Sequence, residues 1–204
     1  MDYDGTITNL DTSDVLVRAC AGPKLWEDLE TALQSGSMTL RDVLAKQFSL
    51  VRLSLEDADA LLSRDTVVDP SFAPFVAACD ARNIPVTILS SGIAPLIGMK
   101  LARIGLAHVR VLANDIETSP DAGWRIRFRD ASENGHDKAA EVRAARDRGA
   151  NTVFIGDGHS DFEAALAANR RFAKRNRALE AFLRERGVAY TPFDSFDQIT
   201  RELF

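Results

Sequence analysis

Two short segments of the 204-residue sequence are rich in aspartate. The first is DYDGT at residues 2–6 and the second is GDGHSD at residues 156–161. Carboxylates that are brought together repel one another unless a cation compensates them, and oxygen ligands are those that Mg²⁺ prefers. A carboxylate can also act as a nucleophile toward phosphorus, while a second one moves the proton. These segments therefore predict phosphate chemistry at a divalent metal site.

Two further segments could bind a phosphate group. Ser90, Ser91 and Gly92 follow the apolar run IPVTIL, where a hydroxyl and backbone amides at the start of a helix can donate to phosphate oxygens. Lys138 begins a helical stretch and could neutralise the remaining negative charge. Each feature alone has an ordinary explanation, since aspartates cap helices and lysines are usually solvated. Their joint placement favours a functional site.

The hydrophobic periodicity predicts the elements that must position these segments. Apolar residues three and four apart predict a helical block between residue 8 and about residue 69, with Thr39 or Ser37 and Ser54 as helix N-caps. Beyond this block strands alternate with helices, which is typical of a parallel sheet covered on both faces. Such sheets bind ligands at the carboxyl ends of their strands. The predicted strands are residues 84–92, 109–114, 151–158, 170–174 and 188–193.

Three other features have structural interpretations. Residues 115–130, DIETSPDAGWRIRFRD, predict a β-hairpin with its turn around residues 120–123. The basic run at residues 170–177 is typical of a solvated face. No zinc-binding spacing connects the histidines, which are His108, His136 and His159.

Composition limits the classes of protein to which the chain can belong. With 46% hydrophobic and 27% charged residues it can bury a sizeable core, which excludes a disordered or collagen-like protein. A formal charge of -5 disfavours nucleic acid and acidic membranes as partners. Cys20 and Cys79 support neither a disulfide framework nor a cysteine-rich zinc site. We expect a cytoplasmic protein that acts on a small molecule, and the sequence leaves its oligomeric state open.

In chain order, the four chemical segments resemble the motifs of the haloacid dehalogenase (HAD) superfamily. Those motifs read DxDGT, a Ser or Thr after an apolar strand, a Lys, and GDGxSD, and the resemblance covers nearly the whole chain. It implies an α/β fold with a three-layer Rossmann-like core and a parallel sheet, formed by residues 1–8 and 70–204. It also implies a small all-helical cap at residues 9–69 and the activity of a phosphoric monoester hydrolase.

The resemblance also implies roles for individual residues. Asp2 is the nucleophile that forms an aspartyl-phosphate, and Asp4 is the general acid and base. Asp2 and Asp157 bind the cofactor Mg²⁺ through their side chains, and Asp4 binds it through its backbone carbonyl. Asp161 supports the metal shell or Lys138. The phosphate-binding residues are Ser90, Ser91, Gly92 and Lys138.

The position of the helical insertion resembles the phosphoserine phosphatase-like branch. Gln47, however, stands where those enzymes carry an arginine for the substrate carboxylate, and Asp11 stands where they have a glutamate. Residues 68–92 and 190–199, together with Trp26, resemble the group around 2-hydroxy-3-keto-5-methylthiopentenyl-1-phosphate phosphatase of methionine salvage. The segment GHDKAAEV lacks the cysteine-rich lead of some salvage enzymes, so the substrate is open between an enol phosphate, phosphoserine and another small phosphorylated metabolite.

One departure from the family pattern concerns the first core strand. HAD proteins place four to six apolar residues before the first aspartate, whereas Met1 directly precedes Asp2 here. The strand that should hold the nucleophile is missing from the sequence, and we expect its neighbours to be left with unpaired backbone groups. Either the natural start lies upstream or the chain is a defective fragment. A non-catalytic binding protein of this fold is therefore an alternative function. A phosphotransferase or mutase that uses the same aspartyl-phosphate is another.

Overall fold

Six strands form two three-stranded sheets in the computed structural model, which describes residues 1–119 and 121–204. The strand order is β1-β2-β3 in one sheet and β4-β5-β6 in the other. All neighbouring pairs are parallel except β2 and β3, which are antiparallel as the predicted hairpin requires. The strands are β1 (Thr87–Ile93), β2 (Arg110–Glu117), β3 (Arg125–Arg127), β4 (Val153–Gly156), β5 (Arg170–Lys174) and β6 (Thr191–Phe193).

The first two residues of the chain lie between the two sheets and hydrogen-bond to both. Met1 donates from its amino group to the Thr87 carbonyl at 2.9 Å, and its own carbonyl accepts from the Leu89 amide at 2.7 Å. The Asp2 amide donates to the Ile155 carbonyl at 2.9 Å. The expectation that neighbouring strands would be left unpaired is therefore wrong at these positions, because two residues suffice to link β1 to β4.

Four helices fill the block between residues 9 and 69, as the periodicity predicts. Thr39 caps the third of them in a reciprocal capping box with Asp42, and Ser54 caps the fourth by accepting from the Asp57 amide. Of the two candidate caps for the third helix, Thr39 is therefore the correct one and Ser37 is not. The helices are α1 (Thr12–Ala21), α2 (Pro23–Gln34), α3 (Leu40–Phe48) and α4 (Leu55–Asp65).

Side chains of the strands alternate between two apolar clusters on opposite faces. Ile88 and Ile155 belong to the cluster that is covered by α5, α6 and α10, whereas Leu89 and Phe154 belong to the cluster covered by α7, α8 and α9. This alternation produces the three layers of the core and confirms the predicted fold class. The covering helices are α5 (Phe72–Asp80), α6 (Ala94–Arg103), α7 (Lys138–Asp147), α8 (Phe162–Ala167), α9 (Ala178–Glu185) and α10 (Phe196–Leu203).

The sequence analysis predicts no helix or strand after the strand at residues 188–193, so it does not include α10. Its apolar residues Phe196, Ile199 and Leu203 have helical spacing, but eight residues are too few for the periodicity to be decisive. Packing decides instead, because Phe196 lies against Phe72 and Phe75 of α5. Among the helices that the structure describes, none combines the length and the apolar character that a membrane crossing requires.

The helical block leaves the core and returns to it at one place. Thr8 and Val68 form an antiparallel bridge, and the Asn9 amide donates to the Val67 carbonyl at 3.0 Å. On the other side of this bridge, one residue along each segment, the Asp69 amide donates to the Ile7 carbonyl at 2.9 Å. This pairing supports a division into a cap at residues 9–69 and a core at residues 1–8 and 70–204, which remains our proposal.

Trp124 joins the β2-β3 hairpin to the helical block. Its side chain is 1% exposed, its ring stacks on Phe48 with centroids 6.1 Å apart, and its indole donates to the Leu53 carbonyl at 2.7 Å. Its backbone amide is also within hydrogen-bond distance of the Phe48 carbonyl at 3.1 Å. Pro120, in the predicted turn of this hairpin, lies outside the described residues. The hairpin therefore contributes a buried indole to the third apolar cluster, which otherwise consists mainly of residues of the block.

We expect Trp124→Ala to lower the free energy of unfolding by roughly 3–5 kcal/mol, because it removes a large buried ring and leaves a cavity. Urea titration followed by circular dichroism would measure the change. Val67→Ala is the control, since Val67 is 59% exposed and its loss should change stability by less than about 0.5 kcal/mol. Equal stability of the two variants would contradict the proposed anchoring role.

Candidate active site

Three of the four motif segments meet at one buried ammonium group, that of Lys138. Lys138 is the first residue of α7 and is 2% exposed. Its Nζ donates to Asp2 Oδ1 at 2.6 Å, to Asp161 Oδ1 at 2.8 Å and to Ser160 Oγ at 2.9 Å. These three acceptors use all the protons of the ammonium group. Lys138 therefore ties the start of the chain to the loop that follows β4.

The charges around Lys138 do not cancel. Burial lowers the pKa of Lys138, but the charges of Asp161 and Asp2 outweigh burial, and the net shift is upward. Burial and the charge of Asp161 raise the pKa of Asp2 to about 6, although Lys138 opposes this shift. One ammonium thus faces two carboxylates, and the site retains excess negative charge at neutral pH.

The loop after β4 folds around the carboxylate of Asp161. Asp161 Oδ2 accepts from the backbone amides of Asp157 at 3.0 Å and Gly158 at 3.1 Å. A Cβ at Gly156 would lie 2.5 Å from Asp161 Oδ2, so only glycine permits this approach. Together with the bond from Lys138, both oxygens of Asp161 are engaged within the protein. Its carboxylate therefore holds the loop in place.

Asp157 brings a third carboxylate to the cluster. One oxygen of each of Asp2, Asp157 and Asp161 lies within 4.8 Å of the other two. The Thr6 hydroxyl donates to Asp157 Oδ1 at 3.0 Å, and a Cβ at Gly5 would lie 2.4 Å from Asp157 Oδ2. Burial, followed by the charges of Asp2 and Asp161, raises the pKa of Asp157 to about 8. Convergent carboxylate oxygens with uncompensated charge fit a hard divalent cation.

Asp4 connects the first motif, of which it is part, to the start of the helical block. Its Oδ1 accepts from the Thr12 amide at 2.8 Å and from the Thr12 hydroxyl at 2.6 Å. A Cβ at Gly92 would lie 2.9 Å from Asp4 Oδ2 and 3.1 Å from Ser90 Oγ. Burial raises the pKa of Asp4 well above its usual range, and the charge of Asp11 adds to this shift. The free oxygen of Asp4 and the Ser90 hydroxyl therefore border the same space over Gly92.

The second motif is held by two buried polar residues that sequence reasoning missed. Asn114 in β2 is 0% exposed and donates from its Nδ2 to the Ser91 carbonyl at 2.7 Å. His136 is 1% exposed, and its Nδ1 lies 3.1 Å from the Ser90 carbonyl. Burial lowers the pKa of His136, and a carbonyl only accepts, so Nδ1 carries the proton of a neutral ring. An asparagine inside an apolar strand was the available signal for Asn114.

The Ser90 turn leaves one donor free. The Gly92 amide donates to Ser90 Oγ at 2.9 Å, and the Ser91 hydroxyl donates to the Asn134 carbonyl at 2.8 Å. Ser90 accepts through its hydroxyl oxygen and keeps its own proton for another acceptor. The structure thus brings Asp2, Asp157, Asp161 and Lys138 into one cluster, and it places Asp4 beside the Ser90 turn.

Comparison with known proteins identifies the family. The profile of the haloacid dehalogenase-like hydrolases matches residues 1–166. The chain belongs to this family. Among curated HAD relatives, Pdp3-interacting factor 1 of Schizosaccharomyces pombe is 33% identical over 99% of this chain and 92% of its own. Polyol phosphate phosphatase PYP1 of Saccharomyces cerevisiae is 24% identical over 97% of this chain and 88% of its own.

One further relative and one solved structure complete the comparison. The 2-hydroxy-3-keto-5-methylthiopentenyl-1-phosphate phosphatase of Exiguobacterium sibiricum is 28% identical, covering 99% of this chain and 94% of its own. A substrate-bound phosphoserine phosphatase aligns with a TM-score of 0.77 at 19% identity, covering 100% of this chain and 96% of that one. At that identity the structural likeness concerns the fold. The predicted recognition of a HAD phosphatase of the phosphoserine phosphatase-like type is confirmed.

The two predicted substrate-selecting residues of this HAD hydrolase lie in the helical block. Asp11 caps α1, since its Oδ1 accepts from the Ser13 amide at 2.8 Å and the Asp14 amide at 3.1 Å. After burial, the charge of Asp11 is the next cause of the raised pKa of Asp4. Gln47 on α3 is 5% exposed. Neither side chain hydrogen-bonds to a motif segment within the described residues, so their role in selection stays a prediction.

Without a divalent ion, we expect the free energy of unfolding to fall as pH rises from about 5 toward 8. The pKa of Asp157 is raised to about 8 in the folded chain from 3.8, so the folded state binds a proton that the unfolded state releases. The slope from one such proton is at most about 1.4 kcal/mol per pH unit. Thermal melting in chelator across this pH range would measure it.

Asp157→Asn should lower this slope by the contribution of one proton, because an amide mimics the protonated carboxyl at every pH. The slope that remains combines the raised pKa of Asp4 with the opposing effect of the Met1 amino group, whose pKa burial lowers to about 5. Asp80→Asn, a change on the exposed end of α5, should leave the slope as it is in the unaltered chain. Added Mg²⁺ should also reduce the slope, since a metal ion favours the deprotonated carboxylates. An unchanged slope in Asp157→Asn would show that Asp157 is not the titrating group.

Proposed function

We propose that this HAD hydrolase is a Mg²⁺-dependent phosphomonoesterase that hydrolyses a small phosphorylated metabolite through an aspartyl-phosphate. The observation that carries the proposal is the cluster of three carboxylates around the Lys138 ammonium. Phosphoryl transfer requires positioning and neutralisation of charge around the transferred group, and this cluster can supply both. The phosphatase names of several relatives support the same reaction.

Asp2 is the proposed nucleophile. Lys138 holds its Oδ1 at 2.6 Å, which leaves Oδ2 to attack phosphorus. As the new P–O bond forms, the bond from phosphorus to the leaving oxygen breaks, and the protonated carboxyl of Asp4 gives its proton to that oxygen. The raised pKa of Asp4 supports this role, because the group can carry a proton near neutral pH.

Water completes the reaction. Asp4, now a carboxylate, accepts a proton from a water molecule that attacks the phosphorus of the aspartyl-phosphate. The P–O bond to Asp2 breaks, and inorganic phosphate and the Asp2 carboxylate are released. Thr12 holds Oδ1 of Asp4, so its Oδ2 is the oxygen that would exchange the proton in both steps.

The proposed Mg²⁺ ligands are the side chains of Asp2 and Asp157 and the backbone carbonyl of Asp4. When bound, the ion supplies positive charge that neutralises the phosphoryl oxygens. Asp161, whose oxygens accept from Lys138 and two amides, is proposed to support this set rather than to complete it.

The phosphate-binding groups are proposed to be the Ser90 hydroxyl and the amides of Ser91 and Gly92, the Gly92 amide exchanging its bond to Ser90 Oγ for one to phosphate. Lys138, whose three protons are engaged, is proposed to contribute its positive charge. Ser90 keeps a free proton to donate, and α6 begins at Ala94 just beyond this turn, with its positive dipole end toward it. His136 and Asn114 hold the carbonyls of the turn, which fixes the orientation of its amides. Nucleic acid and membranes are not proposed partners, and a cytoplasmic location stays a prediction.

The proposed substrate lacks a carboxylate. Gln47 is neutral, and an amide cannot form the bidentate ion pair by which an arginine selects a carboxylate. This favours a methionine-salvage-type enol phosphate over phosphoserine. The similarity to polyol phosphate phosphatase PYP1 favours a sugar-alcohol phosphate as the second candidate.

We expect Asp2→Asn to lower the turnover of an aryl phosphate by roughly 10³-fold or more, because no nucleophile remains. Chelator should abolish turnover in the unaltered protein, and Mg²⁺ should restore it. Asp80→Asn, in contact with His108 on the surface, is the matched control and should keep full activity. Metal-dependent turnover that persists in Asp2→Asn would refute the aspartyl-phosphate route, and its absence from the unaltered protein would favour a binding function.

For the cap residues, Gln47→Arg should raise kcat/KM for phosphoserine by about 10- to 100-fold relative to glycerol phosphate, since a charged bidentate pair contributes about 1.5–3 kcal/mol. Asp11→Asn, which preserves helix capping, should also change the ranking of phosphorylated substrates. Gln34→Arg on the exposed end of α2 is the control. An unchanged ranking in both cap variants would remove these residues from substrate selection.

A further inference from the structure

Lys174 differs from Arg170 and Arg175 of the same basic run. Arg170 pairs with Glu202 and Arg175 pairs with Asp194, as expected for a solvated face. Lys174, the last residue of β5, is partly buried, and its Nζ donates to the Thr6 carbonyl at 3.0 Å. It thus points into the loop of the first motif, a position that the sequence interpretation of this run did not include.

Thr6 connects Lys174 to the carboxylate cluster. Thr6 is fully buried, and while its carbonyl accepts from Lys174, its hydroxyl donates to Asp157 Oδ1 at 3.0 Å. The parallel register supports this arrangement. Gly156, the last residue of β4, pairs with Ala173 in β5, and these two residues are followed in the chain by Asp157 and Lys174. Thr6 therefore accepts from the Lys174 ammonium through its backbone carbonyl and donates to the Asp157 carboxylate through its side-chain hydroxyl.

The backbone of Asp157 is fixed separately, because its carbonyl accepts from the Leu179 amide at the start of α9 at 2.8 Å. The rotation of its carboxylate then depends on the Thr6 hydroxyl. The loop that carries Thr6 is a turn in which the Ile7 and Thr8 amides donate to the Tyr3 carbonyl, and Gly5 within it has φ +75°. The Ile7 amide and the Thr6 carbonyl belong to one peptide unit, so the bond from Lys174 holds this unit at its other polar group.

We propose that Lys174 is a positioning residue for the divalent cation site, acting through Thr6 on the carboxylate of Asp157. This inference rests on the proposed function, since it concerns the same Mg²⁺ ligand. Residues behind metal ligands commonly change metal affinity by about 10- to 100-fold when they are lost. Lys174 is also a positive charge near the site, and charge alone would have the opposite effect, because removing it would strengthen cation binding.

Loss of positioning should weaken Mg²⁺ binding, whereas loss of the positive charge alone should strengthen it, so the sign of the change in Kd distinguishes the two effects. Lys174→Met removes the ammonium and keeps the chain length, and we expect the Kd for Mg²⁺, measured by calorimetry without substrate, to rise about 10-fold. Arg175→Met removes a neighbouring charge that pairs with the exposed carboxylate of Asp194 and should not weaken binding. Lys174→Arg, which retains a charged donor, should keep most of the affinity. Unchanged or tighter Mg²⁺ binding by Lys174→Met would overturn the proposal.

A double-mutant cycle tests the route through Thr6. Thr6→Val is isosteric and removes the hydroxyl, so it should also weaken Mg²⁺ binding, and adding Lys174→Met should weaken it no further. Fully additive losses would show that Lys174 does not act through Thr6. At saturating Mg²⁺, kcat of Lys174→Met should return close to that of the unaltered protein.

Two measurements separate the possible failures. Melting in chelator identifies any variant that does not fold, and Lys174→Arg then still tests the role of the anchor. If the unaltered protein neither binds Mg²⁺ nor hydrolyses an aryl phosphate, the proposed function itself fails. If it does both and Lys174→Met binds Mg²⁺ equally well, only the role of Lys174 fails.

Discussion

The buried ammonium of Lys138 is the interaction on which the site depends. Asp2, Ser160 and Asp161 come from segments about 160 residues apart, and Lys138 donates to all three. A buried lysine is costly without charged partners, and buried carboxylates repel one another without a cation. Each group therefore stabilises the other in the interior. Removing Lys138 would leave two buried carboxylates close together without a cation between them.

The layered core serves this arrangement by bringing loop ends together. Met1 and Asp2 hydrogen-bond to β1 on one side and to β4 on the other, so the first carboxylate lies where the two sheets join. Ser90 lies near the carboxyl end of β1, where the pairing with β2 becomes irregular, and Asp157 follows β4 directly. Parallel strands direct their carboxyl ends to the same edge, and this is the physical reason that four distant segments form one site.

Negative charge in excess of the ammonium is the second property of the site. The pKa values of Asp2 and Asp157 are raised because burial and mutual repulsion disfavour their charged forms. A divalent cation relieves this repulsion, and an incoming phosphate group adds to it unless the cation is present. The helical block adds Thr12, whose two bonds to Asp4 connect the first motif to α1. Electrostatics thus link the proposed binding of metal and substrate to the position of the block.

The sequence by itself determined the helices of the block, the alternation of strands and helices, and the motif residues, because periodicity and motif spacing are local. It did not reveal α10, which is short and forms by packing on Phe72 and Phe75. Nor did it reveal Thr12, Asn114, His136 or the contact of Lys174 with Thr6, since these are ordinary residue types whose partners are distant in sequence. Only the tertiary structure decided which hydroxyl, amide or ammonium holds each carboxylate, because such bonds depend on three-dimensional distance and burial.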